Sequence, residues 1–264
     1  MASVRRVQPP LISVVTPSLN QAEYLERTLR SVAEQGYPHV EHIVVDGGST
    51  DGSVEILERW SDHLARWVSE PDGGQSHAIN KGIGWATGDI VAYINSDDYY
   101  LPGAFAAAAA VFENRTPRWA AGRCRYEYAD GTLWGVIVPS APQMPRRTMI
   151  SETWYIPQAS SFWRRDVFAE VGPLREDLHY VFDLEFGLRC ALAGIVPTAV
   201  DADISVRYLH EEAKSATPEN FARETDAMIK ELESLHVGPS DRLADLAFRA
   251  QRRARRLWQE RRIL

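Results

Sequence analysis

The first hundred residues alternate between short apolar runs and segments with helical periodicity. Apolar, β-branched runs predict buried strands at 11–16, 42–45, 67–70 and 89–94. Apolar residues at helical spacing predict the intervening helices at 23–35, 53–60 and 76–86. Strands that alternate with helices are typical of a mostly parallel sheet with helices on both faces. The pattern therefore predicts an α/β fold.

The second half of the chain has a less regular pattern. Residues 119–138 alternate polar and apolar side chains around Asp130-Gly131, a dipeptide that favours a tight hairpin turn. Short helices are predicted at 166–171 and 183–193, and helical periodicity dominates from Pro218 onward. These features indicate more strands and helices, but they do not specify how they are arranged.

The chain divides into one domain and a C-terminal helical extension, which we place at residues 1–217 and 218–264. The extension ends in a basic segment, because residues 249–264 hold seven arginines and one acid in a chain whose total charge is −7. A basic amphipathic helix can lie on an anionic membrane. The alternative is a solvated helix that packs against the acidic domain.

Composition and charge exclude several classes of function. The net charge of −7 argues against a general nucleic-acid-binding surface, so we expect no nucleic-acid partner. Cys124 and Cys190 form no Cys-x-x-Cys pair, which argues against a metal or redox framework and fits a reducing compartment. The first ten residues lack the apolar core of a signal peptide, and no run approaches the ~20 apolar residues of a membrane span. We therefore expect a cytoplasmic protein, with peripheral contact at the inner membrane face left open.

Acidic and amide side chains collect where the predicted strands end. Asn95-Ser96-Asp97-Asp98 follow the fourth strand, Asp46 ends the second, and Asp72 precedes the third helix. Ligands of parallel sheets bind at the carboxyl ends of strands, and the glycine pairs 47–48 and 73–74 allow backbone to approach one closely. Adjacent carboxylates repel each other, and a divalent cation shared with substrate phosphates would relieve that repulsion. Simple exposure of the carboxylates in a loop is the alternative.

Two stretches resemble the family 2 glycosyltransferases with the GT-A fold. They are SVVTPSLNQAEYLERTLRSVAEQGYPHVEHIVVDGGSTDGS, residues 13–53, and EPDGGQSHAINKGIGWATGDIVAYINSDDYYLPGA, residues 70–104. The resemblance implies an inverting transferase that moves a sugar from a nucleotide-diphospho-sugar to a hydroxyl acceptor, in polysaccharide, glycolipid or glycoconjugate synthesis. It also implies a divalent cation, Mn²⁺ or Mg²⁺, as cofactor.

The resemblance places the nucleotide at the strand ends. The nucleotide-binding positions of the family match Thr16, Pro17, Asn20, Asp46, Asp72, Asn80, Lys81, Asn95, Ser96 and Lys214. Among them, Asp46 matches the acid that hydrogen-bonds a pyrimidine base, and Asp72 matches the loop near the ribose and phosphates. The alternative for Asp46 is an ordinary turn or N-cap aspartate.

The metal motif of the family departs from its usual form in this chain. The Asp-x-Asp motif matches Asn95-Ser96-Asp97, so an amide replaces the first carboxylate. Asp97 is then the predicted metal ligand, and His210 is predicted to complete the metal shell. Asn95 can still accept a hydrogen bond from a ribose hydroxyl. Because one negative charge is missing, we expect this site to bind a metal more weakly than a full Asp-x-Asp motif does.

The residues that the resemblance assigns to the acceptor lie in the second half of the chain. Asp183 matches the general base of the family, although the preceding family glutamate is Phe182 here. A positioned carboxylate that removes the acceptor proton contributes about 10²–10⁴ in rate. The alternative is that Asp183 caps its helix. Gln158 and Trp154 are predicted to contact the acceptor, Trp154 by stacking on a sugar face.

Two other functions compete with this interpretation. A sugar nucleotidyltransferase would share the α/β half and the metal, but TPSLNQ after the first strand lacks the glycine and basic residues of a triphosphate loop. A catalytically decayed sugar-nucleotide-binding module would explain Asn95, but it does not explain an intact Asp183. The donor is expected to carry UDP or dTDP, with GDP open, and the acceptor is a saccharide or lipid-linked hydroxyl. A homo-oligomer is neither indicated nor excluded.

Overall fold

A nine-stranded sheet forms the centre of the structure, a computed structural model that describes residues 8–139, 146–151, 155–210 and 218–260. Its first four strands are β1 (Ile12–Ser18), β2 (Val40–Asp46), β3 (Arg66–Ser69) and β4 (Ile90–Tyr93). They lie in the order β3-β2-β1-β4, and all neighbours in this set are parallel. The helices between them are α1 (Ala22–Ala33), α2 (Ser53–Trp60) and α3 (Gln75–Trp85). The predicted alternation of strands and helices is confirmed.

The remaining strands make the sheet mixed rather than mostly parallel. They are β5 (Tyr99–Tyr100), β6 (Trp119–Tyr128), β7 (Leu133–Ile137), β8 (Ser161–Arg164) and β9 (Thr198–Leu209). Strand β8 is antiparallel to β4 and to β6, whereas β9 is parallel to β6 and antiparallel to β5. The predicted hairpin is confirmed as the antiparallel pair β6–β7. The parallel arrangement predicted from the sequence therefore holds for the first four strands, and β6–β9 is the only other parallel pair among the described residues.

The later helices complete three layers around this sheet. They are α4 (Ala104–Glu113), α5 (Arg146–Ser151), α6 (Asp166–Val171), α7 (Phe182–Leu192), α8 (Pro218–His236) and α9 (Pro239–Glu260). Neighbouring residues of β1 point to opposite faces, so Val14 joins the apolar cluster beneath α4 and Val15 joins the cluster beneath α3. Within the described ranges, no helix combines the length and the apolar character needed to cross a bilayer.

Strand β1 continues two residues beyond its predicted end at Thr16. Pro17 pairs with Val45 of β2, whereas the pairing of β1 with β4 stops at Val15. Val15 O accepts a hydrogen bond from Ile94 N at 2.9 Å, so the backbone polar groups of Val15 point toward β4. The backbone of Pro17, two residues later in the strand, points to the same side. Because β4 has already ended there, the missing N–H of the proline costs no ladder hydrogen bond. The predicted end at Thr16 was therefore wrong.

Helix α8 belongs to the same hydrophobic core as the sheet, although the sequence placed it in an extension. Met228 and Leu232 are 1% and 2% exposed and lie in the cluster that includes Val15. The carboxylate of Glu224 accepts backbone hydrogen bonds from His179, Tyr180 and Val181 at 2.8, 2.5 and 3.0 Å. Helix α8 thus fixes the segment that leads into α7.

Helix α3 packs so closely on β1 that a glycine is required at the contact. A Cβ at Gly82 would overlap the side chain of Val15, which is fully buried. We expect Gly82→Ala to destabilise the protein by about 1–3 kcal/mol, because the strand has no room to move. Urea denaturation would measure the loss.

Gly84 is a matched control on the same helix. A Cβ there meets no described atom within 4 Å, so Gly84→Ala should stabilise by about 0.5–1 kcal/mol through helix propensity. Equal effects of the two substitutions would contradict the proposed contact between α3 and β1.

Glu224 provides a second test, because it connects α8 to the segment before α7. We expect Glu224→Ala to cost roughly 2–4 kcal/mol, since it leaves three backbone N–H groups without their charged acceptor. Chemical denaturation of the full chain would measure it, with Asp226→Ala, an exposed position of the same helix, as control. If the two variants are equally stable, α8 does not hold this segment.

Candidate active site

Two adjoining cavities open at the carboxyl ends of the parallel strands. The first has a volume of about 420 Å³ and the second about 360 Å³. Three residues line both cavities: Gln75, Asn95 and Arg207. A ligand in one cavity can therefore lie against a ligand in the other across this shared wall.

The first cavity lies between loops that follow three parallel strands. Pro17 and Ser18 come from the end of β1, Asp72 from the loop after β3, and residues 95–98 from the loop after β4. Tyr208 of β9 closes the opposite side. Five residues that the sequence placed at a nucleotide or metal line this cavity: Pro17, Asp72, Asn95, Ser96 and Asp97.

The adjacent carboxylates of Asp97 and Asp98 have different surroundings. Asp98 is 2% exposed, and its Oδ1 accepts a hydrogen bond from Tyr208 N at 3.0 Å. Burial and the nearby charge of Asp97 raise the pKa of Asp98 to about 8. Asp97 instead remains partly exposed at the cavity, where its Oδ2 lies 3.1 Å from Nε2 of His210. Asp98 therefore braces β9, and Asp97 is the carboxylate that can meet a ligand.

Asn95 is oriented by a residue that the sequence did not single out. Nε2 of Gln75, the first residue of α3, donates to Asn95 Oδ1 at 2.7 Å. The amide that replaces the first carboxylate of the metal motif is thus already hydrogen-bonded through its oxygen. No chemical signal in the sequence marks Gln75, because a glutamine at a helix start is usually exposed.

Asp183 lies at the wall of the second cavity, in the first turn of α7. Its Oδ1 accepts a hydrogen bond from Leu184 N at 2.8 Å, so the carboxylate also stabilises the start of the helix. Burial raises the pKa of Asp183, and the charge of Arg207 opposes that shift. A carboxyl group with a raised pKa beside a cavity has the properties of a general base.

Arg207 is a half-buried cation at the junction of the cavities, and the sequence did not single it out. Burial disfavours its charge, but Tyr155 and Asp98 outweigh that effect and hold the pKa of Arg207 above its ordinary value. It comes from β9, three residues before His210. The sequence did not predict strand β9, so nothing marked this arginine as a residue of the site.

Tyrosine and phenylalanine rings form part of the wall of the second cavity. Tyr155 lies before β8, Tyr180 and Phe182 lie at the start of α7, and Phe221 lies in α8. Such faces suit the apolar side of a sugar ring or an aromatic group. Phe221 is a further residue that was not expected, since it lies in the predicted extension. Trp154, which was predicted here, lies outside the described residues.

Two predicted nucleotide-binding residues are engaged elsewhere. The Asn80 amide donates to Leu174 O at 2.8 Å and accepts from Leu174 N at 2.9 Å, so it ties α3 to that loop. Lys81 forms an ion pair with Glu70 and lies 5.3 Å from the ring centre of Trp85. Neither lines either cavity. Both residues therefore hold neighbouring parts of the protein together, and their contact with a nucleotide stays a prediction.

Three further predicted residues, at the ends of β1 and β2, also contact other parts of the protein. Thr16 Oγ1 lies 2.9 Å from His42 Nε2 in the core, and Asn20 Oδ1 accepts from Thr50 N at 2.9 Å. Asp46 is fully buried. None of the three lines either cavity, because each side chain points into a loop or the core.

The remaining predictions concern the acceptor and the diphosphate. Gln158 is 8% exposed and lines neither cavity, because it sits in a short 3₁₀ turn beneath the sheet. Lys214 lies outside the described residues. Among the remaining predicted residues, Asp97 lines the first cavity and Asp183 lines the second, whereas His210 lines neither and contacts Asp97.

Comparisons with known proteins identify the family and the fold. Residues 13–172 match the family model described as Glycosyl transferase family 2. The uncharacterized glycosyltransferase Rv1514c of Mycobacterium tuberculosis (strain H37Rv) is 35% identical over 188 residues, which cover 69% of this chain and 70% of that protein.

Two solved structures share the fold. S. aureus TarS 1-349 in complex with UDP-GlcNAc superposes with a TM-score of 0.62 at 19% identity, over 90% of this chain and 79% of that one. The mannosyltransferase PcManGT from Pyrobaculum calidifontis, in complex with GDP-Man and Mn²⁺, gives a TM-score of 0.63 at 20% identity, over 88% and 66%. The fold is therefore that of the GT-A transferases. Since the family model matches more than half of its length, this chain belongs to the family 2 glycosyltransferases.

Proposed function

We propose that the protein binds a nucleotide-diphospho-sugar in the first cavity and transfers its sugar, with inversion, to an acceptor hydroxyl in the second. The observation that carries this proposal is the shared wall of the two cavities, formed by Gln75, Asn95 and Arg207. Asp97 lines the proposed donor cavity, with His210 behind it in contact with its carboxylate, and Asp183 lines the proposed acceptor cavity. The two reacting groups would meet at that wall.

The chemistry of the proposed transfer assigns a role to Asp183. The acceptor oxygen attacks the anomeric carbon while the bond to the diphosphate breaks on the opposite face. The proton of the acceptor hydroxyl passes to the Asp183 carboxylate, whose pKa is raised by burial, so that it accepts the proton more readily than an exposed aspartate. The electron pair of the broken bond leaves with the nucleoside diphosphate.

Arg207 is placed to stabilise that leaving group. Its guanidinium lines both cavities, so it lies beside the bond that breaks. Negative charge develops on the departing diphosphate, and a fixed cation in a partly buried site stabilises such charge more than one in water does. Arginine stays protonated under all working conditions.

The residues present fit a divalent cation that takes most of its ligands from substrate. Asp97 and His210 offer one carboxylate and one imidazole, and His210 Nδ1 is buried without a hydrogen bond among the described residues. A carboxylate with an imidazole suits Mn²⁺. The described ranges hold no group of three acidic, histidine or cysteine ligands, so phosphates and water would complete the shell. The metal would neutralise charge on the departing diphosphate.

The donor and acceptor classes are inferred from the walls of the cavities. We propose UDP or dTDP as the nucleotide of the donor, with GDP as the alternative. UDP-GlcNAc in TarS and GDP-Man in PcManGT support a donor of this class. The aromatic second cavity supports a saccharide acceptor, free or linked to a lipid. Contact of the basic segment 249–264 with an anionic membrane stays a prediction, because most of its side chains lie outside the described residues.

The direct test is turnover of nucleotide sugars with the Asp183→Asn variant. We expect wild type to release nucleoside diphosphate from a UDP-sugar when saccharide acceptors are supplied, and the variant to be slower by about 10²–10⁴. The affinity for UDP should remain unchanged, because Asp183 lines only the second cavity. Release of nucleotide is followed by chromatography, and binding by calorimetry.

Asp166→Asn is the control, since Asp166 begins α6 and is 67% exposed. Wild-type turnover in Asp183→Asn would contradict the assigned base. Pyrophosphate as the product would indicate a nucleotidyltransferase, and UDP binding without turnover in the wild type would indicate a binding module.

Metal binding is tested by thermal unfolding of wild type and Asp97→Ala with UDP, with and without Mn²⁺. We expect Mn²⁺ to add to the stabilisation by UDP in wild type, where a ligand at 100 Kd contributes ~2.7 kcal/mol. That added part should vanish in Asp97→Ala. Asp89→Ala, at the opposite end of β4, should behave as wild type. An undiminished Mn²⁺ effect in Asp97→Ala would exclude this carboxylate as the ligand.

A further inference from the structure

The carboxylate that the sequence assigned to the nucleobase is fully occupied by its own loop. Asp46 Oδ2 accepts hydrogen bonds from Gly48 N, Ser49 N and Ser69 Oγ at 3.1, 2.8 and 2.7 Å. Oδ1 accepts a fourth from Ser49 Oγ at 2.6 Å. The side chain is 0% exposed and does not line the first cavity. Asp46 therefore shapes the loop after β2 and cannot also bind a base.

A second carboxylate lies directly above this loop. A Cβ added to Gly47 would lie 3.3–3.4 Å from three carboxyl atoms of Asp72, so Asp72 fills the space that a side chain at 47 would need. Gly47 N donates to Ser18 O at 2.8 Å, which brings the end of β2 against the wall of the first cavity. Asp72 itself lines that cavity beside Ser18.

One oxygen of Asp72 is fixed and the other is available. Oδ1 accepts a hydrogen bond from Gly74 N at 2.7 Å, where Gly74 has the left-handed φ of 108°. Among the described residues, Oδ2 has no hydrogen-bond partner. A glycine at 74 permits the turn that holds the carboxylate in this orientation. The result is an oriented acceptor at the edge of the cavity.

The position of Asp72 corresponds to the base end of a bound nucleotide. Asp97 follows β4, and Asp72 lies over the end of β2, with β1 between these strands. Two interstrand spacings of about 4.8 Å separate them by roughly 10 Å across the sheet. With the diphosphate at Asp97, a nucleoside that extends across β1 brings its base to Asp72.

From this geometry we infer that Asp72, and not Asp46, selects the base of the donor by accepting a hydrogen bond from the imide N–H of a uracil ring. The inference rests on the proposed function, since it requires a nucleotide in the first cavity. Thymine presents the same N–H. Cytosine has an unprotonated ring nitrogen at that position, which would repel the carboxylate.

The test is a comparison of UDP and CDP affinity in wild type and in Asp72→Asn, by calorimetry on the full chain. Wild type should bind UDP at least about tenfold more tightly than CDP, as expected for one charge-assisted hydrogen bond. In the variant, the Asn amide can donate to the cytosine nitrogen or accept from uracil. The two affinities should then agree within about threefold.

The Asp46→Asn variant distinguishes Asp72 from Asp46 as the residue that selects the base. It should lower the melting temperature, because four hydrogen bonds are disturbed, and keep the wild-type ratio of UDP to CDP affinity. A third variant, Gly47→Ala, should weaken UDP binding, since its Cβ crowds the Asp72 carboxylate. The ratio of UDP to CDP affinity in Asp72→Asn tests the role of Asp72 even if Asp46→Asn does not fold.

Each outcome has a distinct meaning. An unchanged ratio in Asp72→Asn overturns the role of Asp72 and leaves the proposed function standing. A wild type that prefers CDP or GDP to UDP overturns the assignment of uracil. Failure of folded wild type to bind any nucleoside diphosphate overturns the proposed function itself, and this inference with it.

Discussion

The buried carboxylate of Asp98 connects the two halves of the sheet, and the site depends on that connection. Its hydrogen bond to Tyr208 N fixes the loop after β4 against β9. Thr28 of α1 donates to the carbonyl groups of Ser96 and Asp98, so the same loop is held from the other face. Strand β9 carries Arg207 and leads directly into His210, so this contact helps to position both residues beside the loop that holds Asp97. Burial and the nearby charge of Asp97 raise the pKa of Asp98, so this arrangement disfavours the charged form of the carboxylate.

The C-terminal helices matter to the site for a related reason. Asp183 lies in the first turn of α7, and Glu224 of α8 holds the backbone before that turn. Phe221, also of α8, lines the second cavity. Met228 and Leu232 bury the helix in the main core. The second cavity therefore combines Gln75, Asn95 and Tyr155 of the matched family region with residues beyond its end at residue 172. In the proposed function this cavity holds the acceptor, so sequence changes beyond residue 172 would alter the acceptor side and leave the loops after β1, β3 and β4 in place.

The sequence predicted the features that depend on local pattern. Alternating apolar runs revealed the parallel strands, since a strand buried on both faces is apolar throughout. Strands β8 and β9 were missed because their neighbours in the sheet are distant in sequence, and β9 mixes polar and apolar residues without a regular period. Among the site residues, Asp97 and Asp183 were recognisable by type and position. Arg207 and Gln75 carried no such signal, because their roles arise only when β9 and α3 meet.

The predicted residues that line neither cavity show what a resemblance can transfer. It carries over which residue stands at a position, but not what that residue bonds to. Asn80 is bonded to Leu174 and Lys81 to Glu70, contacts that the resemblance did not reveal. Asn95 stands where the family motif has a carboxylate, so the proposed metal position carries one charge fewer. Arg207 lies where both cavities meet. In the proposed transfer, the charge of the diphosphate would therefore be balanced by this arginine as well as by a metal at the Asp97–His210 pair.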